Sequence, residues 1–251
     1  MDVNVHGPGP AAPFLSARDR FETEYSLDRP VEVNVRDDPD ERTWTGHHDD
    51  RHVLNISRQA ATSAMATELA LHEFAHMLRH EQGHPSHTQS TEEAIYLALA
   101  GRSVEQRKLT HCYQIANHMK DIYADDVTVA VGRGEKLVSF LEAGLAAALA
   151  DHATDPHRAG HQRLTATADP EITAVNAAFA LALVERHGLV EADHRLYDLA
   201  HAAAEDAPKI DLEAYRRRFR TLARDPGRQE YRQALVDVTK QYATDGQQAA
   251  D

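Results

Sequence analysis

A predominantly helical α+β fold is predicted by three observations. Two short stretches, VEVNV at 31–35 and HVLNIS at 52–57, have the alternation and β-branched content of strands. Most of the chain beyond residue 60 carries apolar residues at helical spacing, divided by Gly and Pro breakers. Alanine is abundant and aromatics are only 6%, which disfavours a β-sandwich. A chain of 251 residues is long enough to bury about three quarters of its unfolded surface, so a core forms without disulfides.

Residues 1–13 hold three prolines and read as a loose tail. A short helix is expected within 14–27, then the first strand. The polar stretch DDPDERTWTGHHDD, 37–50, reads as a loop, and the second strand follows it. Helical periodicity runs from about Ala60 to His80, and GHPSHTQ at 83–89 breaks it. Ser90 with Glu93 three residues on has the spacing of a capping box, opening a helix through Ala100. A further helix runs from about Val104 to Val131, ended by GRGE at 132–135. Over 136–245 the breakers DPHRAG, Asp169-Pro170, Gly188, Pro208 and DPG divide four or five more helices. The expected organisation is a tail and short helix over 1–28, a small α+β half over 29–131, and a helical region over 132–251 packed on it.

The net charge of -13 argues against a nucleic-acid partner and against anionic membranes. No apolar run approaches the roughly 20 residues of a membrane span, and the first residues lack a secretory pattern. Cys112 is the only cysteine, which excludes an intrachain disulfide or a multi-cysteine zinc site. The expected location is the cytoplasm. There are 5 Lys and 22 Arg against 22 Asp and 18 Glu. Excess carboxylate with scarce lysine suits a protein working in high salt, which screens its self-repulsion, so a halophilic, archaeal habitat is expected.

The chemistry lies in LHEFAHML, which contains H-E-x-x-H as His72, Glu73 and His76. Residues four apart on a helix lie one turn above each other, so two imidazoles can share one zinc ion. Glu73 is then beside the metal, placed to take a proton from bound water. Met65, Leu69, His72 and His76 form one stripe, while Leu71, Phe74, Ala75 and Leu78 form another. The helix thus reads as apolar nearly all round and buried, and histidines inside it need partners. Arg79 and Gln82 stand where the metzincin extension needs Gly and His, which excludes that class.

A third ligand is needed, and four candidates stand in the sequence: Asp121, Glu93, His84 and His87. Projected as a helix, Gln114, Asn117, His118, Asp121, Asp125 and Thr128 form one polar stripe, with Cys112, Ala116, Met119, Tyr123, Val127 and Ala130 opposite. Asn, His and Gln crowded around aspartates suit a lined cleft. The segment Asp121-Ile-Tyr-Ala124-Asp125 after an HExxH helix resembles the gluzincin metallopeptidases. The likeness is to the CAAX-processing and stress-protease type and to the soluble peptidases that clear phage repressors, which carry E-x-x-A-D or E-x-x-A-N. The resemblance covers about residues 52–131, with Asp in place of the first Glu. It implies a zincin-like catalytic half, a zinc ion held by His72, His76 and Asp121, and Asp125 supporting a ligand histidine. Asp is one methylene shorter than Glu, so the second helix must come closer. TEEAI at 91–95 resembles the N-E-A of other gluzincins and makes Glu93 the alternative third ligand, although position 97 is Leu where a supporting acid is usual. Asn117 and His118 are expected around the site. His118 suits either a bond to a transition-state oxyanion or a structural role.

Elsewhere, Cys112 and Tyr123 read as core residues, and His152, His157 and His161 as loop histidines. His47, His48 and Trp44 fall in the polar loop, which could cover a cleft. The function expected is a zinc metallopeptidase acting on a peptide or protein substrate, with Glu73 as general base toward a zinc-bound water. Two alternatives stand beside it: a metal-binding regulatory protein of the same fold without turnover, and a helical interaction protein without metal.

Overall fold

The computed structural model describes residues 1–38, 42–132, 134–153 and 169–244. In chain order the elements are β1 Val3–His6, α1 Ala12–Phe21, β2 Val31–Arg36, β3 Trp44–His47, β4 His52–Ser57, α2 Arg58–Ala61, α3 Ala66–Glu81 and α4 Pro85–Thr88. There follow α5 Thr91–Leu99, α6 Gln106–Ala130, α7 Gly134–Ala153, α8 Pro170–His187, α9 Arg195–Glu205, α10 Leu212–Arg220 and α11 Arg228–Thr244. The α+β class is as expected. Among the described residues, no helix is long and apolar enough to cross a membrane.

Two compact units result: Met1–Thr88 with Tyr123–Lys136, and Gln89–Ile122 with Leu137–Asp251. The division differs from the expected boundaries at 28 and 131. Strand β1 brings the N-terminal residues into the first unit, and α5 packs on α11, which draws residues 89–122 into the second.

The first unit is built on one four-stranded sheet in the order β1-β2-β4-β3. β1, β2 and β4 run parallel, and β3 pairs antiparallel with β4 at an edge. In β2 the alternation buries Val31, Val33 and Val35 and turns Glu32 and Asn34 outward. These valines meet Leu54 and Ile56 of β4, Phe14 and Phe21 of α1, and Leu71, Phe74 and Met77 of α3 in one core. Phe21 and Phe74 meet edge to face at 6.0 Å, joining α1 to α3.

Two strands escaped the sequence reading. β1 lies in the stretch expected to be a tail; its Val-x-Val alternation is only four residues long and is followed by GPGP. Gly7 is required there: its φ is +94°, and a Cβ would stand 2.2 Å from the Val35 carbonyl oxygen. β3 lies in the stretch expected to be a loop. Its WTGH sequence has no apolar alternation, because it is an edge strand paired on one side only.

In the second unit α8 is buried along its length from Ile172 to Val184 and packs against α9 and α10. The breakers act as expected. Asp169 caps α8, accepting from the Glu171 N–H at 3.0 Å, and Pro170 fills its first turn. Gly188, at φ +60°, ends it. Ser90 caps α5, accepting from the Glu93 N–H at 3.1 Å. Cys112 and Tyr123 are core residues, and burial pushes the Cys112 thiol up to about 11. DPHRAG, His157 and His161 lie outside the described residues.

Candidate metal centre

Helix α3 was expected to be buried all round, and it is not. Ala70, Leu71, Phe74, Ala75, Met77 and Leu78 face the core, while Leu69, His72, Glu73, His76 and His80 lie on a half-buried face. Helix α1 and the strands β2 and β4 cover the core side, so the HExxH side chains project from a helix whose back is anchored.

His72 and His76 stand one turn apart with rings nearly perpendicular. Their Nε2 atoms approach to 3.0 Å. Two imidazole nitrogens about 2.0 Å from one tetrahedral zinc ion lie about 3.3 Å apart, so the pair is spaced for sharing an ion. His72 is held from behind: its Nδ1–H donates to Asp125 Oδ1 at 2.9 Å. A carboxylate only accepts, so Nε2 of a neutral His72 keeps its lone pair. Asp125 is 3% exposed, so the carboxylate that holds His72 is itself buried.

Asp121 lies one turn before Asp125 on α6, which is a single uninterrupted helix, so the anchoring of Asp125 on His72 also positions Asp121. Arg79 Nε donates to the Tyr123 carbonyl at 2.9 Å and ties the same stretch of α6 to α3. One donor atom each from His72, His76 and Asp121 fall within 4.8 Å of one another. Among the described residues this is the one grouping of three or more His, Cys, Asp or Glu suited to a metal.

The other candidates take other places. Glu93 is on an exposed part of α5, 3.7 Å from Arg232, and does not belong to the grouping. His84 and His87 are brought back toward α3 by the turn that ends it. Gly83, at φ +63°, donates to the His80 carbonyl and the His84 N–H donates to that of Arg79, respectively the 5→2 and 6→1 bonds of a Schellman turn. His87 thereby reaches Nδ1 of His76, the side away from Nε2, at 2.7 Å. His118 donates from Nε2 to Asn176 Oδ1 at 2.8 Å and stacks on Phe179, with its Nδ1 3.7 Å from Asp121 Oδ2. The Asn176 bond and the Phe179 ring hold His118 beside Asp121. Asn117 is exposed and makes no side-chain hydrogen bond to the described residues.

Sequence reasoning missed Thr45. From the edge strand β3 its hydroxyl donates to the carboxylate of Glu73. No local signal marked it, since β3 itself was invisible. Further along the same strand His47 stacks on His80 at 3.9 Å, and its Nδ1 lies 2.9 Å from Nδ1 of His52. His52 is fully buried and bonds Glu81 at 3.0 Å. Burial, with neighbouring histidines, pushes His47 down to about 3, and burial lowers His52 and His80 as well. Their unfolded values are near 6.5. Below that the unfolded chain takes up protons that the folded one refuses, so stability is full above about pH 6.5 and falls as pH drops toward 3. Urea unfolding at pH 7.5 and 5 is expected to show lower stability at 5, with a smaller difference in His47→Gln; equal loss in both proteins would contradict it.

The match to known families covers both units, residues 1–244. The chain belongs to DUF5781, a family of unknown function. No curated protein and no solved structure matches it. Membership brings no chemistry with it, and any function is read from the site itself.

Proposed function

We propose that this chain is a zinc-dependent metallopeptidase acting on a peptide or protein substrate. The observation that carries the reading is the convergence of His72, His76 and Asp121 donor atoms within 4.8 Å, beside a glutamate held by a separate hydrogen bond. The donor set of two imidazoles and one carboxylate is that of catalytic zinc, which keeps its fourth position open. His72, His76 and Asp121 would hold the ion, with Asp125 orienting His72. When bound, zinc polarises a carbonyl as a Lewis acid and lowers the pKa of a coordinated water toward about 7. Glu73 accepts the proton of the attacking water and delivers it to the leaving amine. Thr45 holds the Glu73 carboxylate by its hydroxyl, limiting its rotation.

The setting proposed is a cytoplasm of high ionic strength, in keeping with a single buried cysteine and the excess of carboxylates. The test is hydrolysis of a mixed peptide library by the zinc-reconstituted protein in molar salt, followed by mass spectrometry. Cleavage that stops with a chelator and returns with zinc is expected. Zinc uptake without cleavage of any peptide or of unfolded protein would contradict the peptidase and leave a metal-binding protein.

A further inference from the structure

Behind His76, on the side away from the candidate ion, lie three side chains in sequence. His76 Nδ1 is 2.7 Å from His87 Nε2, His87 Nδ1 is 2.7 Å from Ser86 Oγ, and Ser86 Oγ is 2.7 Å from His84 Nδ1. Ser86 is fully buried and His84 nearly so. Each ring nitrogen either donates or accepts, so a chain of this kind has a direction.

One bond sets that direction. The Ser86 backbone N–H, which can only donate, points to His84 Nδ1 at 3.2 Å. His84 Nδ1 is therefore an acceptor, and the Ser86 hydroxyl proton must also go to it. With its single proton used, Ser86 Oγ accepts from His87 Nδ1–H. A neutral His87 then has a bare Nε2, which accepts from His76 Nδ1–H. The consequence lies at the far end: Nε2 of His76 carries a lone pair, aimed at Nε2 of His72 at 3.0 Å. Asp125 imposes the same state on His72 from the other side. Two lone pairs at this distance repel, and a cation between them converts the repulsion into two bonds.

We propose that Ser86 is a positioning residue of the metal centre. Through His87 it fixes the tautomer and ring orientation of His76, so that Nε2 is left to bind the ion. The inference rests on the zinc reading. The relay gives His76 what a carboxylate gives His72, namely direction, without adding another negative charge beside Asp121 and Asp125. It is built by local structure: the Schellman turn at Gly83 starts the return, and Pro85 opens the single turn of α4 that carries Ser86 and His87.

The test uses the full chain and two readouts. Nitrogen-15 NMR of the metal-free protein reads the tautomers: His76 and His87 are expected as Nδ1–H and His84 as Nε2–H. Zinc affinity, measured by competition with a chromophoric chelator, is expected to fall by about 10- to 100-fold in Ser86→Ala. His87→Gln, whose amide accepts from His76 and donates to Ser86, should retain most of the affinity that His87→Leu loses. That pair carries the test if Ser86→Ala fails to fold. Wild-type affinity in both Ser86→Ala and His87→Leu, or a proton on Nε2 of His87, would overturn the proposal. Absence of zinc uptake by the wild type would overturn the zinc reading, and the tautomers of the metal-free chain would still decide the relay.

Discussion

Glu73→Gln is expected to keep zinc at about one ion per chain and to lower peptide turnover by about 10²- to 10⁴-fold, the range for removing a general base. The two side chains have the same shape. Gln can still accept from Thr45, so the strand-to-helix link seen at Glu73 should survive. The amide cannot take up a proton, and that difference alone is being measured. Glu73 is not among the grouped ligand residues, so metal content should be indifferent to the change. Turnover within a few-fold of wild type would show that another residue serves as base. Loss of the ion together with activity would show that Glu73 acts on the site's structure.

The largest stability effect is expected at Phe74, next to Glu73 in the chain and on the side of the helix that faces the core. Its ring is fully buried and meets Phe21 edge to face. Phe74→Ala removes a ring from the layer between α1, α3 and the sheet, and is expected to cost about 3–5 kcal/mol. Against a typical domain stability of about 5–15 kcal/mol, that is a large share. Because the same helix carries His72 and His76, loosening its back should also weaken metal binding. Urea unfolding checks the first effect and chelator competition the second. A cost under about 1 kcal/mol would mean that α3 is held in place by something other than this core.

What could be seen in the sequence followed from local periodicity. His72, Glu73 and His76 are placed by the helical turn alone, and Asp121 and Asp125 share a face of one helix for the same reason. Asp169-Pro170 and Gly188 bound α8 by local chemistry that any helix would share. The parts that stayed hidden depend on pairing between distant segments. β3 has no alternation of its own and exists because β4 offers it an edge. Thr45 reaches Glu73 only once that edge is formed. By closeness in sequence His87 is a candidate ligand; the Schellman turn returns it to the Nδ1 side of His76. Glu93 resembles part of a gluzincin motif, yet its place on α5 beside Arg232 follows from packing that local sequence does not encode.

Metal content tests the central claim most directly. Wild-type protein and the variants His76→Ala, Asp121→Ala and Glu93→Ala would be loaded with zinc, desalted and measured by elemental analysis. The account predicts about one zinc per chain in wild type and Glu93→Ala, and a loss of the ion in His76→Ala and Asp121→Ala. Wild type that retains no zinc after loading would contradict the account.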